Sequence, residues 1–237
     1  MRFQPILDQW QLIVGGIQVT LVSAFFASLI CIAVGMLLGV LSQFGHKSIY
    51  RIVRAFVYLF RGTPVLVLLF LAYYALPTFG LNLPGMVAGI LTFGLNTGAY
   101  MTEVTRGALE SVDVSQREAA HIDGASDWMT TTRVIFPQAF PLMVAPGTNQ
   151  LVNLLKGTSL LAVISVTDLT RSVQLVAAAS FIPFEAYFFL GVVYLILVGI
   201  LTRGSILFER WLDRRLFRSK RGNQPQTVEE SFAAVSQ

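Results

Sequence analysis

Long apolar stretches alternate with short polar ones along this chain, and five of the apolar stretches run to about 20 residues or more. They cover residues 12–41, 53–76, 84–108, 140–166 and 184–207. A helix of that length crosses a hydrocarbon core of about 30 Å, so the pattern predicts five membrane-spanning helices. The second and fourth stretches carry polar residues in their interiors. Small residues recur at a spacing of four: Gly35 and Gly39, Gly85 and Gly89, Gly94 and Gly98. That spacing lets helix backbones approach closely, and packing inside the bundle is the expected use. After Leu207, the stretch FERWLDRRLFR sets Phe208, Trp211, Leu212 and Leu216 against an arginine-rich face, the pattern of an interfacial helix. From Ser219 the tail is polar and expected to be mobile.

Composition agrees with the pattern. The chain is 54% hydrophobic and 13% charged, with a mean hydropathy of +0.66. Its single cysteine, Cys31, excludes an internal disulfide and reads as a buried thiol. The start, MRFQPILDQW, has no compact basic region ahead of the first apolar run, so that run is expected to stay as a helix. The net charge of +4 does not point to nucleic acid, because the cations gather at the ends of apolar stretches. Lys47, Arg51 and Arg54 follow the first stretch, and Arg210, Arg214, Arg215, Arg218, Lys220 and Arg221 follow the last. The short link PTFGLNLP is uncharged. Positive charge stays inside, so the N-terminus is expected outside and the C-terminus in the cytoplasm.

One polar insert interrupts this plan, SQREAAHIDGASDWMTTTRVIFPQ, residues 115–138. With five spans it falls on the cytoplasmic side. Ser115 and Glu118 have the spacing of a capping box, so a helix is expected to start there. Gly124 can turn or bend the segment, and Pro137 marks entry to the fourth span. A slim cytoplasmic helix at the base of a bundle is a natural grip for a docking partner.

The insert resembles the EAA motif of permease subunits of bacterial ABC importers, with Val134 and Phe136 in its apolar closing positions. FRGTPVLVLLF, YMTEVTRGALESV and NLLKGTSLLAVISVTDLT resemble the branch of that family serving polar amino acids and opines. Ser115, Pro141 and Gly157 depart from the branch's usual residues. The resemblance implies an all-α integral membrane fold of the type I importer permease, with five transmembrane helices and a cytoplasmic coupling-helix insert over about 112–137. It implies a permease domain over 1–218 with a tail over 219–237, in the bacterial inner membrane. The implied function is half of a translocation pathway for a polar amino acid or related small solute. The implied partners are ATP-binding subunits, an extracytoplasmic solute-binding protein and a second permease subunit, identical or homologous. ATP and Mg would be bound by the partner ATPase, and no cofactor by this chain. Glu118, Ala119, Ala120, Gly124, Trp128 and Pro137 would serve ATPase coupling, with residues 118–128 as one coupling helix.

Polar residues at membrane depth supply the candidate pathway, since each ionisable group there costs about 2.5–3.5 kcal/mol on insertion scales. Asn149, Asn153 and Lys156 share one face of the fourth span, and Ser159 extends it outward. Asn96, Tyr100 and Glu103 share a face of the third, and Arg61-Gly62-Thr63-Pro64 interrupts the second. Lys156 or Arg61 suits a solute carboxylate and Glu103 an ammonium. The bland alternative pairs Glu103 with Arg106 or Lys156 for structure alone. No phosphate-cradling glycine loop followed by lysine is present, and His46 and His121 lack metal-ligand spacing, so enzyme chemistry is not expected. The rival reading is a self-sufficient secondary transporter or channel, for which five spans without a visible inverted repeat are few.

Overall fold

The computed structural model describes residues 4–43 and 47–216, and these fold as a helical bundle. A short turn of helix, α1 (Gln4–Asp8), leads into α2 (Trp10–Leu41), followed by α3 (Lys47–Gly62) and α4 (Val65–Phe70). α4 runs on through a π-helical segment and a 3-10 turn to Phe79. Next come α5 (Gly85–Glu110), α6 (Val114–Ile122), the short α7 (Asp127–Met129) and, after a second π-helical segment, α8 (Phe136–Gly157). A 3-10 stretch, Thr158–Ile164, separates α8 from α9 (Leu169–Ser180), and α10 (Pro183–Leu216) ends the described chain. His46 and the tail over 219–237 lie outside the described residues.

α2 and α5 form the spine, packed through the small residues at spacing four. Added methyl groups on Gly35 and Gly39 would overlap Met101 and Thr105, and one on Gly94 would lie 2.8 Å from Ile30 Cβ. Gly98 faces Val34. The third pair serves a different contact: Gly89 faces Leu161, and Gly85 faces Val166. Gly35→Ala should therefore push the two long helices apart. An overpacked core costs about 1–3 kcal/mol, read as a lower melting temperature in detergent than wild type.

Three apolar cores stack along the spine. Ala27, Cys31, Leu69, Phe93, Leu154 and Leu161 fill the middle. Ile13, Leu169, Val173, Val176 and Ala186 form a second core where α2 and α10 begin. Leu109, Ile135, Ala139 and Met143 form the third, beneath the α5–α6 link. α9 was not expected from the hydrophobic pattern. It starts because Asp168 Oδ1 accepts the Arg171 N–H at 2.8 Å, and it is pinned to α2 where Thr20 Oγ1 accepts the Leu169 N–H at 3.1 Å.

The expected helices are present with three corrections, and among the described residues two of them, or up to four if each bent pair is one span, are long and apolar enough to cross a membrane. α2 and residues 183–212 are long and apolar enough to cross a membrane as single helices. The expected second span is broken instead: α3 meets the segment Val65–Phe79 at 100°. The fourth continues past its 3-10 stretch into α9 at 52°. The third is α5, about 39 Å long at 1.5 Å per residue. It is less apolar than α2 because its Asn, Thr and Gly residues pack inward and its last turns carry Glu103, Arg106 and Glu110. Finally, the expected interfacial helix after Leu207 is not a separate element. α10 continues unbroken into it as far as Leu216, where the described residues end, with Phe208 and Trp211 stacked at 5.8 Å, because no glycine or proline follows Leu207 there.

Candidate functional site: a polar face and a helical hairpin

Proline accounts for the break between α3 and α4. Pro64 has no N–H to give the carbonyl four residues back, which is that of Phe60. Asn96 Nδ2 donates to this carbonyl at 2.6 Å from α5. Asn96 therefore acts first as the support of a helix break, with Thr63 half-buried inside the break. Asn96→Ala should leave that carbonyl unpaired. The loss is about 1–3 kcal/mol, visible as a lowered melting temperature with helix content unchanged. Arg61, at the end of α3, lies over the Tyr100 ring at 4.8 Å.

Glu103 has a partner within its own helix. Its Oε2 accepts from Arg106 Nη2 at 2.9 Å, and Arg106 Nη1 reaches Glu110 at 2.7 Å. Lys156 is not part of this ladder. Of the two structural partners considered for Glu103, the geometry selects Arg106. The second carboxylate oxygen of Glu103 is buried and unpaired.

The polar stripe on α8 is the clearest departure from an apolar bundle. α8 buries Met143, Gly147 and Leu154 toward α5. Asn149, Asn153 and Lys156 are exposed on the opposite side. Among the described residues their side chains make no hydrogen bond or ion pair. Ser159 Oγ donates to the Lys156 carbonyl at 2.8 Å, so its hydroxyl is used to close the helix end. Asn149, Asn153 and Lys156 thus come together on one surface, whereas Arg61, Asn96 and Glu103 gather around α5.

The polar insert is a hairpin of two helices. α6 begins one residue earlier than its expected Ser115 start, and Asp113 caps it: its carboxylate accepts the Ser115 N–H at 2.9 Å. The sequence signal was present, since Asp113 and Gln116 have the same capping spacing as Ser115 and Glu118. The Ser115 N–H, then its hydroxyl, hold the Asp113 carboxyl below the usual carboxylate range. The cap is therefore complete above the ordinary aspartate pKa and is lost only as pH falls through this lowered value. Residues 118–128 do not form one helix. Gly124 sits at φ +80° between α6 and α7, and Ser126 Oγ accepts the Met129 N–H to start the second helix. His121 Nε2 lies 3.4 Å from Asp127 Oδ1 across the turn.

The hairpin is tied down at its base and open at its tip. Arg117 Nη2 donates to Gln43 Oε1 at 3.1 Å, and Gln138 Nε2 donates to Gln116 Oε1 at 3.3 Å. Ala120 is buried against the bundle, while Glu118 and Ala119 face out and Pro137 is exposed at the start of α8. Ile122 is 86% exposed and Trp128 59%, a pair of large apolar side chains on the tip. Among the described residues no three His, Cys, Asp or Glu side chains are grouped to hold a metal ion.

Comparison with known proteins places this architecture. The chain is 28% identical over 239 residues to the nopaline transport system permease protein NocM of Agrobacterium fabrum, covering 97% of this chain and 99% of that one. It is 36% identical to the glutamine transport system permease protein GlnP of Escherichia coli, over 78% of this chain and 84% of that one. The crystal structure of an amino acid ABC transporter with histidines superposes with a TM-score of 0.81 at 30% identity, covering 89% of this chain and 98% of that chain. Residues 31–218 match the family described as binding-protein-dependent transport system inner membrane component. The chain is a member of that family of transport-system membrane components.

Proposed function

We propose that this chain is the permease subunit of an ATP-driven importer, forming half of the pathway for a polar amino acid or a related small solute. The permease domain is residues 1–218, and the fold's likeness to an amino acid ABC transporter and the names of the nopaline and glutamine relatives support the solute class. The single observation that carries the reading is the exposed, unpaired stripe Asn149–Asn153–Lys156. An ammonium and two amides facing lipid would be costly, so a second permease subunit covers them, and the pathway runs between the two. Lys156 meets the solute carboxylate there, with the asparagines as neutral donors and acceptors. Arg61, Thr63, Asn96 and Glu103 shape the neighbouring wall.

The α6–α7 hairpin is the coupling element. Ile122 and Trp128 at its tip suit a groove on a separate ATPase subunit, which binds ATP and Mg; this chain holds no cofactor. The cationic ends set the orientation, with the N-terminus outside, the hairpin and C-terminus in the cytoplasm, and a solute-binding protein docking outside. ATP and the loaded binding protein both prefer the outward-open state, and hydrolysis returns the pair to the inward-open one. The test is reconstitution in liposomes. Uptake should require the ATPase, ATP and the binding protein together. Uptake by this chain alone on an ion gradient would establish the secondary-transporter reading in its place.

A further inference from the structure

α3 divides into three faces. Val53 and Val57 are buried against the bundle. Ile52 and Leu59 are exposed, at 71% and 58%. Lys47, Arg51, Arg54 and Arg61 recur at helical steps on the third face, with Tyr58 filling the one missing turn. None of these four cations pairs with a carboxylate among the described residues, and α3 itself contains no acid. At the end of the cationic face, Arg54, Tyr58, Arg61 and Tyr100 line an open groove of about 640 Å³ with no acidic residue in its wall. The helix then turns by 100° before the apolar segment that follows.

A spanning helix would not carry four cations without a carboxylate partner over four turns, nor turn so sharply at its end. A helix lying along the membrane surface would, with apolar side chains toward the acyl chains and cations toward the headgroups. We propose that α3 is a membrane-surface helix and that its cationic face and groove bind the headgroup of an anionic phospholipid of the cytoplasmic leaflet. The side of the membrane rests on the orientation proposed above; the binding chemistry does not. Charge complementarity selects this occupant. A row of cations about 21 Å long, from Lys47 to Arg61 at 1.5 Å per residue, fits a sheet of phosphates better than one small solute. Ile52 and Leu59, exposed beside it, need acyl chains to cover them.

The test uses the purified full chain in detergent, titrated with spin-labelled phosphatidylglycerol and, separately, phosphatidylcholine. Each cation near an anionic surface contributes about a fivefold factor, so the four of this face together set a preference for phosphatidylglycerol of about 600-fold. Arg51→Gln with Arg54→Gln should cut that preference by about 25-fold, the factor carried by the two charges removed. Arg51→Lys with Arg54→Lys should keep the preference, which separates lost charge from lost fold. Arg210→Gln with Arg214→Gln, on α10, should also keep it. Unchanged phosphatidylglycerol affinity in the double glutamine variant overturns the proposal, as does loss of preference in the α10 variant. Displacement of the labelled lipid by glutamine would assign the groove to the solute instead. The assay needs no transport, so its outcome is independent of whether uptake succeeds in liposomes.

Discussion

Lys156→Ala is expected to lower uptake by about tenfold or more, at equal membrane abundance and with the binding protein's own affinity unchanged. The size follows from the chemistry: a hydrogen bond to a charged group contributes about 1.5–3 kcal/mol, and each 1.4 kcal/mol is a factor of ten. Stability should change little, because the Lys156 side chain is exposed and has no partner among the described residues. Lys156→Arg should rescue in part, since a planar fork does not replace a compact ammonium. The structure also fixes a control. Gly157 beside Lys156 lies against Phe93, ten residues up α5 from Glu103, a distance of about 15 Å along the helix. Glu103 is engaged by Arg106. Lys156→Ala and Glu103→Ala should therefore be independent, with effects on uptake that add as free energies. Wild-type uptake by Lys156→Ala would remove this residue from the pathway.

The parts of the fold that were legible in the sequence are those where one period dominates. α2, α5 and α10 are long helices, and the glycines at spacing four predicted close packing within the bundle, which two of the three pairs make between α2 and α5. What was not legible depends on contacts made elsewhere. The second stretch reads as one apolar run because Val53–Phe60 and Val65–Phe70 have similar composition. Pro64 frees the Phe60 carbonyl, but the side chain that pairs it, Asn96, lies 36 residues further on. α9 was missed because its residues fall between two apolar stretches and are covered by Ile6, Ile13 and Ala186 from distant helices. Among the candidate site residues, α8's stripe was readable because three polar residues at helical steps interrupt an apolar helix. The partner of Asn96 was not foreseen and that of Glu103 was left between Arg106 and Lys156, since amide and carboxylate side chains at membrane depth read alike whether they bind a solute or a neighbour. The cationic face of α3 was visible residue by residue, but it became a surface only once the 100° turn was known.

Gly124→Val should uncouple the protein while leaving the bundle intact. Gly124 holds φ +80°, a backbone region that a β-branched residue adopts only under strain of about 1–2 kcal/mol. No heavy atom lies within 4 Å of an added Cβ, so the backbone strain at positive φ is the main effect on this chain. That strain falls on the turn between α6 and α7, which sets the relative placement of Ile122 and Trp128 at the tip. The base, held by Arg117–Gln43 and Gln116–Gln138, lies away from it. The expected result has two parts. The melting temperature of the purified chain should fall by no more than about 2–8 °C, the size of the strain alone, because the three cores are untouched. Binding-protein-stimulated ATP hydrolysis and uptake should fall together by about tenfold, since a displaced tip forfeits contacts worth about 1–2 kcal/mol. Gly124→Asn should be milder, because asparagine tolerates the left-handed region and adds no charge. Full uptake by Gly124→Val would show that the hairpin is not the element that transmits the ATPase's motion. A larger drop in melting temperature would show instead that the turn supports the bundle itself.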